Sequence, residues 1–140
     1  MRERDVIAPE LKEKMKKPET DNDREFDAAL RLHQDGQLKE AEAAYEALLA
    51  RRPEDSASLA MLGILNLQQD RPEIALHYAD LSIAKEARVP NAHATRGDAL
   101  HRLEKYEEAV DAFQTALALN PNAYDVAIRS IDAQVRVEDQ

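Results

Sequence analysis

The chain has 140 residues, enough for one domain, and its lack of cysteine excludes disulfides and thiolate metal sites. Hydrophobic residues make up 44 % of it but aromatics only 4 %, so small and aliphatic side chains carry the apolar surface, as thin helix-on-helix packing requires. The formal net charge of −9 falls on residues 22–140, where 13 Lys/Arg meet 22 Asp/Glu, and this argues against a nucleic-acid partner, because phosphate binding needs clustered cations.

Residues 1–21 balance six Lys/Arg against six Asp/Glu. The opening MRERDVIAPELKEK has no apolar core of a secretory signal. No apolar run approaches the roughly 18 residues of a membrane span, so no membrane partner is expected and the cytoplasm is the expected location. Pro9 is placed to open a short helix, with Leu11 and Met15 on one face and Pro18 ending it. Lys12, Lys14, Lys16 and Lys17 make this a charged arm, either solvated or docked on the rest of the chain or on a second subunit.

From Asn22 a period emerges. A first helix carries Phe26, Ala29, Leu30 and Leu32, with Asp21, Asn22 or Asp23 as its expected cap. Asp35-Gly36 breaks it. A second helix carries Leu38, Ala41, Ala44, Tyr45, Leu48 and Leu49 at helical spacing, and Pro53 closes the unit. The pattern returns after 34 residues and again after 68: Ala29 becomes Gly63 and Gly97, Ala41 becomes Ala75 and Ala109, and Tyr45 becomes Ala79 and Phe113. Glycine inside a helix costs about 1 kcal/mol against alanine; its return at Gly63 and Gly97 predicts a close approach of the paired helix. The units are 22–55, 56–89 and 90–123. A last helix over 122–137 is expected to cap the array. Tyr124, Ala127, Ile128, Ile131 and Val135 are its expected inner face, and Asp125, Arg129, Asp132 and Arg136 its outer one.

Three such units resemble tetratricopeptide repeats, through Gly97, Leu100, Tyr106, Ala109, Phe113, Ala116 and Pro121 in the third and through Ala29, Leu32, Gly36, Leu38, Ala41, Tyr45 and Pro53 in the first. The second is weaker, keeping Leu62, Gly63 and Ala75. The resemblance implies an all-α fold, a right-handed superhelix of three antiparallel helix pairs plus a C-terminal capping helix. It also implies a non-catalytic scaffold whose first helices line a concave groove for a peptide or helix of another protein. The groove would be lined by Phe26, Leu30, His33 and Gln34, then Ala60, Ile64, Leu67 and Gln68, then Asn91, Asp98, His101 and Arg102. Members that grip the acidic tails of heat-shock chaperones carry a clamp of two Lys, two Asn and one Arg. The matching places here hold Phe26, Leu30, Met61, Asn91 and Thr95, which supply no charge-assisted donors. The layout is similar to that of type III secretion chaperones, and the style of the first repeat to N-terminal arrays of bacterial glycosyltransferases.

The second helix of repeat two departs from its siblings. Ile74, Tyr78 and Leu81 form an extra apolar stripe, which together with Val6, Ile7, Leu11 and Met15 raises self-association as a homodimer. His33, His77, His93 and His101 lack metal-ligand spacing, and no phosphate-cradling glycine loop or nucleophile–base pair stands out. No cofactor, metal or catalytic residue is therefore expected.

Overall fold

The computed structural model describes residues 20–139. The expected helix from Pro9 and the apolar residues of the arm lie outside them. Among the described residues there are seven helices and no strand: α1 Asp21–Gln34, α2 Leu38–Arg51, α3 Ser56–Gln68, α4 Pro72–Lys85, α5 Pro90–Arg102, α6 Tyr106–Leu119 and α7 Tyr124–Glu138. They form three antiparallel hairpins, α1/α2, α3/α4 and α5/α6, with α7 packed on α6 and touching α5. This is the right-handed solenoid that the resemblance implies.

The cap of α1 falls one residue before the three candidates. Thr20 Oγ1 accepts the Asp23 N–H at 3.1 Å, and the Asp23 carboxylate accepts the Thr20 N–H at 3.1 Å, so two otherwise orphaned donors are satisfied together. The turns inside the hairpins repeat at 34 residues. Gly36, Asp70 and Glu104 all hold positive φ, at 80°, 59° and 60°. Each is followed by a bond from the next N–H back to the last turn: Gln37 to Leu32 O, Arg71 to Asn66 O and Lys105 to Leu100 O, all at 2.9 Å. The turn keeps its shape although glycine survives in only one copy.

The expected close approaches are present. A Cβ built on Gly97 would stand 2.6 Å from the Phe113 ring, and one on Gly63 would stand 3.3 Å from Thr95 Cγ2 and 3.4 Å from Ala75 O. Core clusters fill both ends. One joins Ala29, Ala41, Tyr45, Leu48, Leu62 and Leu65; the other joins Leu100, Ala109, Phe113, Ala116, Val126 and Ala133. In repeat two the hairpin is tied by buried Ser82, whose Oγ donates to Ser56 O at 2.9 Å.

The last helix is turned the other way from its expected orientation. Val126 and Ala133 are its buried residues, while Tyr124, Ile128, Ile131 and Val135 are 72 %, 68 %, 65 % and 47 % exposed. The 34-residue frame explains this: Val126 and Ala133 stand where Ala92 and Ala99 are buried in α5. Ile131 stands where Gly97 faces α6, and no helix follows α7 among the described residues.

Candidate functional site

The inner helices α3, α5 and α7 present a continuous concave surface. One depression of about 330 Å³ lies between α3 and α5, with Ile64, Leu67, Gln68, Asn91, Asp98 and Arg102 on its walls. A second, of about 520 Å³, continues it between α5 and α7, with Leu67, Asp98, His101, Arg102, Ile128 and Arg129 among its walls and Phe113 at its base. Leu67, Asp98, Arg102 and Arg129 border both. Of the twelve groove residues expected from the sequence, seven therefore meet on this surface.

The other five sit elsewhere. Ala60 is buried. Phe26 borders a separate depression of about 180 Å³ with Asp27, Arg52 and Asp55, and its ring lies 5.8 Å from that of Tyr45. Leu30 is half-buried and Gln34 exposed on α1. His33 Nε2 shares a 2.6 Å hydrogen bond with Gln68 Oε1, joining α1 to the edge of the groove. Of the extra stripe on α4, Ile74 is exposed, whereas Tyr78 and Leu81 are half-buried. Tyr78 packs against the repeat-one core, and burial, aided by Glu46 and Glu42, raises its phenol above the ordinary value.

The groove holds charge, but the charges are paired. Arg102 donates to Leu67 O at 2.6 Å and lies 3.5 Å from Asp70. Arg129 Nε stands 3.1 Å from Asp98 Oδ1, too bent for a hydrogen bond, and its guanidinium lies 5.9 Å from the centre of the Phe113 ring. His101 Nε2 donates to Asp132 at 2.8 Å. Burial pushes the Asp98 carboxyl above its usual value; Arg129, Arg102 and His101 only partly offset the loss of water. The result is a trough of mixed lining, apolar at Ile64, Leu67 and Ile128 and crossed by a band of ion pairs. No group of three or more potential metal ligands exists among the described residues. No helix of the described residues is long and apolar enough to cross a membrane.

Ile128, Arg129 and Asp132 were not among the groove residues expected from the sequence; Arg129 and Asp132 belonged there to the outer face of the cap. The period carries the signal: 34 residues back, Ile128 and Asp132 become Ala94 and Asp98. The places of the acidic-tail clamp hold half-buried Phe26, Leu30 and Met61, exposed Asn91 and buried Thr95, none of them cationic.

Against known proteins, the tetratricopeptide repeat family matches residues 26–88 and again 90–123. Comparison of the sequence with curated proteins gives no match. Among solved structures, the fold is similar to the Sgt2 domain of Aspergillus fumigatus, with TM-score 0.80 at 15 % identity over 87 % of this chain and 82 % of that one. It is similar also to the first such domain of Spaghetti (RPAP3) bound to the HSP90 peptide SRMEEVD, with TM-score 0.79 at 18 % identity over 84 % and 93 %. A third is the Yersinia enterocolitica type III secretion chaperone SycD in complex with a peptide of the translocator YopD, with TM-score 0.70 at 18 % identity over 86 % and 93 %.

Proposed function

The chain belongs to the tetratricopeptide repeat family, and from that premise we propose that it is a non-catalytic interaction module that takes a peptide or helix of a partner protein along the α3–α5–α7 groove. The observation that carries this reading is the groove itself: apolar walls from Ile64, Leu67 and Ile128 around a band in which Arg102 and Arg129 are already engaged. Such a surface favours a segment with one or two apolar anchors over one with a cluster of carboxylates, because Arg102 and Arg129 already face internal partners with which a further acid would compete. Peptide complexes of the similar folds support the class of ligand, and the absence of cations at the clamp places sets this groove apart from one built for an acidic terminal tail.

Chaperoning of a secretion substrate in the cytoplasm is the narrower reading. What supports it is the similarity of length and layout to the SycD fold, which covers 86 % of this chain and 93 % of that one. Both readings are tested by placing a photo-crosslinking amino acid at Ile64, and for comparison at exposed Glu46 on α2, and identifying what is captured in cells. The expected result is a protein segment captured at residue 64 and not at residue 46. Its affinity for the purified chain should fall at least tenfold on Ile64→Glu with helicity unchanged; equal affinity would overturn the groove.

A further inference from the structure

The two ends of the array carry opposite surfaces. In the inner helices after α1, the third and tenth places of each 34-residue unit are buried against the hairpin before them: Ser58 and Leu65, Ala92 and Ala99, Val126 and Ala133. In α1 the same places hold Arg24 and Arg31, both exposed. At the other end α7 exposes Tyr124, Ile128, Ile131 and Val135, on the side of the helix away from Val126 and Ala133. Together they leave an apolar stripe on the order of 500 Å², the size that on small proteins often marks a contact.

The stripe rejects two occupants. It cannot receive a helix the way α5 receives α6. There Gly97 allows contact so close that a Cβ would meet the Phe113 ring at 2.6 Å, and Ile131 occupies the matching place in α7. An occupant must stand at the wider separation of an ordinary helix pair, roughly 8–10 Å. Nor does it suit the first helix of another copy, which would prolong the array head to tail. That contact would lay Arg24 and Arg31 on the stripe and take two cations out of water against apolar side chains. The α7 stripe of a second copy meets neither obstacle.

The stripe is its own complement. Its spacings of 4, 3 and 4 residues read the same in both directions. A two-fold axis across its middle therefore sets Ile128 against Ile131 of the second copy, and Tyr124 against Val135, the largest side chain against the smallest. Parallel pairing would set Tyr124 against Tyr124 and Val135 against Val135, wide at one end and narrow at the other. Charge leaves the contact to burial. The flank toward the groove carries Asp125, Arg129, Asp132 and Arg136, two of each sign, all engaged within their own copy. Arg129 faces Asp98 and also Asp125 at 3.8 Å, Asp132 is bonded to His101, and Arg136 lies 5.9 Å from the centre of the Tyr106 ring. The axis sets Asp125 across from Asp132 of the second copy, each already beside its internal partner. The other flank holds Ala127, Ser130 and Gln134, without charge. With these flanks the pair buries on the order of 600 Å² per copy, the lower range of specific interfaces, where association is reversible. We propose that two copies join through antiparallel contact of their α7 stripes, in a closed two-fold dimer from which the two arrays run outward.

Sedimentation velocity of the full chain from micromolar to millimolar concentration should show a monomer passing reversibly to a dimer and no further. Ile131→Glu/Val135→Glu should weaken the dimer at least tenfold, with circular dichroism unchanged because both residues are exposed. Neither residue borders the groove depressions, so the result is independent of ligand binding there. The absence of native cysteine allows a second measurement. Ile128→Cys and Ile131→Cys proteins are mixed and oxidised, and their mixed disulfide should form faster than the disulfide of either variant alone. Four results overturn the proposal. One is a monomer at every concentration, which would leave the stripe to a different protein. Another is oligomers that keep growing with concentration, together with a mixed disulfide of Ile131→Cys and Arg31→Cys, the head-to-tail contact. The third is a disulfide of Ile131→Cys alone that outpaces the mixed one, the parallel contact. The last is a dimer that survives Ile131→Glu/Val135→Glu, which would put the interface elsewhere.

Discussion

Replacing Gly97 by alanine sets two opposing effects against each other in one side chain. Alanine is the better helix former by about 1 kcal/mol, so in open space the change would stabilise α5. The new methyl group would meet three atoms of the Phe113 ring at 2.6, 2.6 and 2.9 Å, where ordinary contact begins near 3.4 Å. The ring must therefore retreat by roughly 0.8 Å; overpacking of this kind costs about 1–3 kcal/mol. Phe113 is fully buried, but its base of the 520 Å³ depression gives it somewhere to go, which places the cost near the middle of that range. The net expectation is a loss of about 1 kcal/mol, read as a fall of about 0.5 M in the urea midpoint for a slope of about 2 kcal/mol/M. Gly63→Ala supplies the control. Its nearest neighbours stand at 3.3 and 3.4 Å and need give only tenths of an ångström, so the helix gain should survive as no change or a small rise in stability. Phe113→Leu should couple favourably with Gly97→Ala and with Gly63→Ala not at all. Equal midpoints for Gly97→Ala and Gly63→Ala would refute the reasoning.

Tyr45→Phe should stabilise by about 1 kcal/mol in urea unfolding, since the hydroxyl is fully buried without a hydrogen-bond partner and burial lifts its pKa to about 12; a loss of stability would show that the hydroxyl has a partner. Glu104→Gly should stabilise by about 0.5–1 kcal/mol, because the left-handed turn at φ 60° strains glutamate by more than glycine costs in the unfolded chain. Asp70→Gly should gain less, since aspartate tolerates that conformation and Asp70 also faces Arg102 at 3.5 Å. Asp98 holds its proton more tightly in the folded state than the ordinary 3.8, so folding binds protons there and stability falls as pH rises through the window above that value. Wild type should therefore lose stability relative to Asp98→Asn between pH 4 and pH 7, as measured by paired urea titrations; a constant difference would remove the burial argument.

The hairpins were legible because their signals are local and thrice repeated. Gly63 and Gly97 announced close helix contact, and Asp35-Gly36 announced a left-handed turn that Asp70 and Glu104 then hold without glycine. The cap of α1 lies one residue before Asp21, Asn22 and Asp23, which are themselves favoured cap types and so hide Thr20. The operative signal was the pair Thr20 and Asp23, a hydroxyl with a carboxylate three residues on. In α7 local amphipathicity misled. Tyr124, Ile128 and Ile131 are larger than Val126 and Ala133, and with Val135 they make the greasier stripe, which the local pattern alone assigns to the interior. Burial in a repeat array is set by register, not by side-chain size, and the register already held the small residues Ala92 and Ala99 at those places.

Seven groove residues were legible in the sequence, but the wall that α7 adds and the pairing of the charges were not, for a different reason. The groove's electrostatic character comes from pairs that span repeats: Arg129 with Asp98 and Asp132 with His101, each 31 residues apart. Each side chain alone looks like part of a solvated face, and only the turn of α7 that brings Val126 and Ala133 inward aims Arg129 and Asp132 at α5. One reorientation therefore has two consequences. It neutralises the groove, leaving apolar walls to choose the ligand, and it puts four large apolar residues into solvent. Ile128 belongs to both surfaces, lining the larger depression and continuing the stripe. A segment seated in the groove and one seated on the stripe must meet at that side chain, and any energetic link between them has to act equally in both directions.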